Sequence, residues 1–416
     1  SSFNIFDKDG NQLNGASGFS PDSQENLYAG TNAGNSSDSD TVCNIAFGKC
    51  AAYSLNSGDY NVMFGTCSGL MQTSASYNVF LGGWAGLNVT SGCCNVAIGA
   101  NAMSGSNTTG ADNIAIGFGA VANISSGANN IGLGVCALGA GSDLTGHNNI
   151  AGGYYAGSGF TSGYYNVFFG YHAGKGQGSS SAYANVFMGL RAGCCVTSGG
   201  CNVFLGSKAG IQNTTGYGNI AIGKDAGESA TTVNRNVIIG YEAGTSTTGG
   251  YNSFFGAEAG KNLTSGQQNV AIGYNAQLAS NTGSSQLVIG QGSGYWLRGD
   301  SSFNICSQGA ICDSKGNLRS IPQKYAGGGY TLVASDAGCH VIVTGTTTIP
   351  NHTFSTGDAV TLINEHSSAI QITASIGTLY NSADGSTGNR TLGVRGMATI
   401  LFRNSSMAYI SGAGLT

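Results

Sequence analysis

A five-residue word, Asn-(Val/Ile)-x-Φ-Gly with Φ apolar, recurs sixteen times between residues 26 and 290 and leaves few folds open to this chain. It is spelled Asn61-Val62-Met63-Phe64-Gly65, Asn78-Val79-Phe80-Leu81-Gly82 and Asn95-Val96-Ala97-Ile98-Gly99, and it continues through Asn113, Asn130, Asn166, Asn202, Asn219, Asn236 and Asn269. Ten of the fifteen intervals are 17 residues, the rest are 16, 18 or 19, and Asn26 and Gln286 head degenerate end copies. A short period held this long predicts a solenoid, each copy one coil packed on its neighbours. Seventeen residues cannot hold the helix of an αβ repeat, and no 3.6-residue apolar period appears, so the coils are expected to be all-β. Sixteen coils at about 4.8 Å predict a rod of roughly 75–80 Å over residues 26–292.

Each part of the repeat suggests a role. Val79 and Leu81 alternate with their neighbours as strand residues do, and this alternation places them on the core side. The x position is Ala in some copies (Ala97, Ala221, Ala271) and Phe in others (Phe80, Phe168, Phe187, Phe204, Phe254), so it is expected to face a roomier environment, an interface between chains. The closing Gly, the Ala85-Gly86 type of pair and the Thr90-Ser91-Gly92 type of triplet are expected to make three corners. The Asn residues of successive coils (Asn61, Asn78, Asn95, Asn113, Asn130, Asn166, Asn202, Asn219, Asn236, Asn269) are expected to hydrogen-bond along the axis as a ladder. A thin coil leaves apolar residues uncovered, which side-by-side association of chains would bury.

Composition narrows the function. Only 8% of residues are charged and the net charge is −4, which argues against the basic stripe that nucleic-acid binding requires. No 18-residue apolar run is present, so no membrane-inserted helix is expected. The 71 Gly come with 3 Pro and no Gly-X-Y period, which excludes collagen. Of the 12 Cys, several share repeat slots with other residues: Cys43, Cys94 and Cys201 stand where Tyr60, Tyr77, Tyr165 and Tyr251 stand elsewhere, and Cys50, Cys67 and Cys136 share a second slot. That substitution pattern reads as packing by buried free thiols, with a ladder disulfide such as Cys50–Cys67 left open by the coil spacing. Cys93-Cys94 and Cys194-Cys195 are adjacent pairs rather than CxxC, so no zinc site is expected.

Flanking segments differ from the array. Residues 1–25 form an N-terminal connector whose Asp7-Lys8-Asp9-Gly10-Asn11 has half the residues of a calcium loop but no closing Glu, and it reads as a polar turn. Residues 293–325 form a cap and connector in which Ser301-Ser302-Phe303-Asn304-Ile305 repeats Ser1-Ser2-Phe3-Asn4-Ile5, leading to the expectation that another module precedes residue 1. Residues 326–416 lack the repeat, and their short alternating segments predict a small antiparallel β-sandwich.

The Asn-(Val/Ile)-Ala-Ile-Gly words resemble the head repeats of trimeric autotransporter adhesins, and the longer form with Ala-Gly and Thr-Ser-Gly is similar to repeats in tail-fibre proteins of bacteriophages. Tyr330-Thr331-Leu332-Val333-Ala334, Gly388-Asn389-Arg390-Thr391-Leu392 and the ending Ile410-Ser411-Gly412-Ala413-Gly414-Leu415 resemble the end domain of tail-fibre-like proteins. The chain departs from the adhesins in period and in lacking a heptad stalk and an anchor barrel. The resemblance implies a homotrimeric virion fibre for host attachment, joined to other tail proteins on its N-terminal side and contacting a host surface glycan or protein at its C-terminal tip. A bacterial cell-surface adhesin or extracellular filament subunit is the alternative, and a capsule-degrading tailspike comes third.

No catalytic constellation, cofactor site or metal site stands out. The acids of the array, Asp225, Glu228, Glu242 and Glu258, are expected at solvent corners, and His340 near Asp336 reads as a satisfied strand histidine. Arg298-Gly299-Asp300 reads as a turn rather than an adhesion tripeptide. Receptor contact is expected in the terminal domain, where Tyr380, Asn381, Asp384, Asn389, Arg390 and Tyr409 combine aromatic faces with hydrogen-bonding groups.

Overall fold

Each copy of the repeat folds as one short strand and the return path to the next. In the computed structural model, which describes residues 21–105, 107–139, 143–178, 180–309, 312–313, 316–317 and 321–416, the chain divides into two compact units between Cys306 and Ser307. The polar turn at residues 7–11 lies outside the described residues. In the first unit, β1 (Leu27–Ala29) through β15 (Val270–Ile272) are three-residue strands and β16 (Leu287–Gln291) is slightly longer. They pair parallel and in register, so that Val79 lies between Val62 and Val96. The unit is a parallel β-solenoid of sixteen coils. At its end β17 (Gly294–Gly299) folds back antiparallel on β16, and β18 (Ile305–Ser307) follows.

The strands are short because left-handed backbone bounds them. The residue before the Asn has a positive φ even where it is bulky, as at Tyr77 (61°), Cys94 (60°) and Tyr165 (58°), a conformation costing an L residue roughly 1–2 kcal/mol. The Gly after the strand is required twice over: Gly82 has φ 138°, and a Cβ there would sit 2.7 Å from the Gly99 carbonyl of the next coil.

The x position lies in the interior of the coil, not at an interface. Phe80, Phe168, Phe187, Phe204, Phe254, Ala97, Ala221 and Ala271 are all buried, while Val79 and Leu81 point outward and stay half-buried. The expected inside and outside of the strand are therefore reversed. The slot accepts both Ala and Phe because other side chains fill the space, a second position of the same coil in some copies and a neighbouring coil in others, as Ile238 does beside Ala221 and Gly227. Gly86 follows Phe80, and its Cβ would lie 2.5 Å from the Phe80 ring; Gly174 and Phe168 stand in the same relation. Where the strand centre is Ala97, Ala115 or Gly132, the corresponding residue is Met103, Val121 or Leu138, each buried with positive φ. In these coils core volume is balanced within the coil, as close packing requires.

The Asn ladder is present and fully buried. Each side-chain oxygen accepts the backbone N–H of the next Asn, and in most coils its amide as well: Asn113 Oδ1 receives Asn130 N (2.9 Å) and Nδ2 (3.1 Å). The amide also donates to the corner glycine carbonyl, Gly146 O in this case. Both ends are closed. Asp22 caps Asn26 through its backbone and side chain. At the far end Gln286 replaces Asn, and its longer side chain turns back to accept the N–H of Ser280 in the return path that leads to it. Asn149, Asn185 and Asn252 also belong to the ladder.

The described cysteines whose surroundings are defined are free, Cys50 and Cys67 included. Of these only Cys194 is buried; the others are half-buried or exposed, so the slot faces outward rather than into the core.

In the second unit, β19 (Cys312–Asp313) and β20 (Gly316–Asn317) form a small antiparallel pair. A nine-stranded sheet follows: β21 (Gln323–Ala326), β22 (Tyr330–Thr331), β23 (His340–Val343), β24 (Thr347–Ile349), β25 (Ala359–Asn364), β26 (Ile370–Ala374), β27 (Thr378–Asn381), β28 (Arg390–Asn404) and β29 (Met407–Leu415). The expected antiparallel sandwich is a mixed sheet instead. β21, β23 and β25 run parallel on one path and β22, β24 and β26 on another, so this segment makes three further coils. The 15-residue β28 then crosses both paths antiparallel, bulging between Leu392 and Met397 as it passes from β26 to β25, and pairs with β29. Turn spacing alone does not distinguish a coiled return from a hairpin, so it leaves the strand direction open. Its core is Val341, Val343, Val360, Leu362, Ile372, Leu392, Ile400, Phe402 and Ile410.

Candidate interaction surfaces

The outward side chains of the solenoid strands form a nearly continuous apolar face. Of the 32 first and third strand positions in the sixteen coils, 29 are Val, Ile, Leu, Met or Phe; the exceptions are Ala29, Gly152 and Ser253, and none is charged. Phe64, Ile116, Leu133, Phe169, Met188, Phe255 and Ile272 are each 38–44% exposed. At about 4.8 Å per coil and about 10 Å of width the face covers roughly 750 Å². Contiguous apolar patches on monomers rarely exceed a few hundred Å².

Aromatic side chains line the neighbouring corners. Tyr60 and Tyr77 stack at 5.1 Å, His147 stacks on Tyr164, and Tyr164 on Tyr183. Tyr154, Tyr155, Tyr171 and His172 form a cluster, with Tyr171 and His172 at 4.1 Å. Burial holds the His172 ring below the usual imidazole range, with Lys175 and Arg191 adding to it. Because successive rings cover one another's faces, these ladders present edges to a partner.

The array acids are only partly at solvent corners. Asp225 is buried and paired with Lys224 at 2.9 Å, while Lys261 binds Glu242 at 2.6 Å and holds its carboxyl below the usual range. In the Arg-Gly-Asp segment, Arg298 lies 4.3 Å from the centre of the Tyr295 ring. The Asn304 amide, then the backbone N–H groups of Asn304 and Ser302, donate to the Asp300 carboxylate and hold its carboxyl low. Its carboxylate thus serves a turn.

The six residues expected to contact a receptor come together around the loop from β27 to β28, and most are occupied there. Tyr380 and Tyr409 are opposite one another and stack at 5.5 Å. Asn381 Oδ1 accepts from Ala383 N, and Asp384 from Ser386 N and Oγ, which hold its carboxyl low. Asn389 Oδ1 accepts from Ala374 N. Arg390 is buried and braces the loop through Ser386 O, Ser386 Oγ and Asn389 O. The two tyrosines keep an outward surface; the others hold the turn.

His340 is a half-buried strand residue. The fully buried Asp336 is instead met by Lys324 Nζ at 2.6 Å, by the Tyr330 hydroxyl at 2.9 Å and by Val333 N–H. The hydrogen bond to Asp336, then that to Tyr330, pushes the Lys324 ammonium well above its ordinary range.

A depression that sequence reasoning did not find, about 650 Å³ in volume, lies between the β25–β26 loop and the β28 bulge, lined by Ile363, Asn364, Glu365, His366, Ser367, Val394 and Arg395. The only hint in sequence is its mixture of residue types, because its two walls are 30 residues apart. Comparison with family models, curated proteins and solved structures finds no match for this chain.

Proposed function

We propose that the chain is the subunit of a structural fibre for surface attachment, a virion tail fibre in which the solenoid is a stiff spacer and the C-terminal unit makes the host contact. Three copies associate side by side through the strand faces of their solenoids. The uncharged apolar face carries this reading: the side chains outside the strand are larger and more uniformly apolar than the Ala and Gly often found inside it. Its area is close to the roughly 800 Å² per partner of a stable interface.

Light scattering on the full chain tests the assembly. The expected mass is three times 41.8 kDa, unchanged on dilution; a monomer would sink the assembly. An extracellular filament subunit is the competing reading, and open-ended high-mass species would favour it. Against end-to-end stacking, β17 already occupies the strand edge of the last coil. Adhesion of the purified fibre to bacterial cells tests the attachment role.

A further inference from the structure

Two observations on the C-terminal unit converge on the depression beside the β28 bulge. Among its described cations, Lys324 is tied to Asp336, Arg390 to Ser386 and Asn389, and Arg403 to the Met407 sulfur. Arg395 makes no hydrogen bond or ion pair with a described residue. Among the carboxylates whose side chains are described, Asp336, Asp358 and Asp384 accept hydrogen bonds, and Glu365 alone accepts none. Among the described side chains of this unit, the cation and the carboxylate left without a partner line the same depression.

The walls are fixed. Asn364 is buried, and its amide donates to Leu392 O, Gly393 O and Ser368 O while its oxygen accepts the His366 N–H, so one side chain ties the loop to the bulge. His366 Nδ1 accepts the Ser368 N–H, which leaves Nε2–H as the donor of the neutral ring. Arg395 stands at φ 56° on the bulge, and bulges re-aim side chains in this way.

We propose that this depression binds a neutral sugar ring, with Arg395 and His366 donating to hydroxyls, Glu365 accepting from them, and Ile363 and Val394 against the C–H face. The charges of Arg395 and Glu365 cancel, so the depression has no net charge to favour an ionised sugar, and a neutral ring uses both its donors and its acceptor. That the sugar belongs to a surface glycan rests on the attachment reading above.

The test presents the full chain to an array of neutral and uronic-acid oligosaccharides and follows binders by saturation-transfer NMR. At least one neutral oligosaccharide is expected to bind, at least tenfold more weakly with either Arg395→Gly or Glu365→Gln. Arg395→Gly keeps the fold because glycine takes this φ freely, and unchanged circular dichroism checks it. Gln371→Ala, at an exposed position of β26 outside the depression, leaves affinity unchanged. The proposal is overturned if no neutral oligosaccharide binds, if acidic ones are preferred, or if both variants bind as the parent does. Cell adhesion separates the two readings. Adhesion kept in both variants overturns the sugar site and spares the attachment role; sugar binding without adhesion does the reverse.

Discussion

Asn130 shows what a single residue contributes. It receives two hydrogen bonds from Asn149, gives two to Asn113 and one to Gly146, all out of water. Asn130→Ala strands the Asn149 and Gly146 groups, and each buried orphan costs about 1–3 kcal/mol. A loss of roughly 2–4 kcal/mol is expected, read as a lower denaturation midpoint; an unchanged midpoint would show that the ladder contributes specificity rather than stability. The cysteines give a chemical prediction. Partial desolvation by its neighbours, then Asp112 and Cys93, raises the exposed Cys94 thiol, so less thiolate is present at neutral pH and alkylation by iodoacetamide should lag behind free cysteine until the pH rises. The described thiols should all label without a reductant. The ladder asparagines were legible because identical residues recur at the coil period. Gln286 looked like a degraded copy, and its role needed the knowledge that no further coil follows to supply the donor.

Within a coil, the strand centre and the residue six positions later share one space. Phe80→Ala alone should cost about 3–5 kcal/mol as a buried aromatic lost to a cavity. Gly86→Met alone drives a side chain into the Phe80 ring. The double substitution reproduces the Ala97–Met103 arrangement of the next coil, so it should recover much of the loss, and a double-mutant cycle on the unfolding midpoint measures the coupling. Additive effects would show that the coils do not balance volume in this way. The solenoid and its period were readable from sequence, whereas the inner face was not. Period-two alternation identifies two faces without saying which is wet, and the uniform Val and Ile at the outer positions looked like a core. The receptor residues were chosen for chemical type, but turn residues of that type largely satisfy their own backbone. The depression at Glu365 and Arg395 depends on a bulge that no local pattern announces.

For the proposed assembly, the outer strand face predicts a sharp dependence on charge. Val203→Glu places a carboxylate on the uncharged face while leaving the coil interior intact. It should convert the associated form to a monomer by light scattering without changing the β signature in circular dichroism. Retained association would move the interface to another side of the coil. The hydrogen-bond ladder has one more consequence. Every internal coil presents the same donors and acceptors to both neighbours, so excising residues 79–95 joins Asn78 to Val96 and restores an equivalent stack. Length is thus a quantity that can be edited in whole increments, at about 4.8 Å each, without redesigning either terminus. A lineage could lengthen or shorten the solenoid by gaining or losing whole coils, and natural variants of this chain should differ by entire repeats.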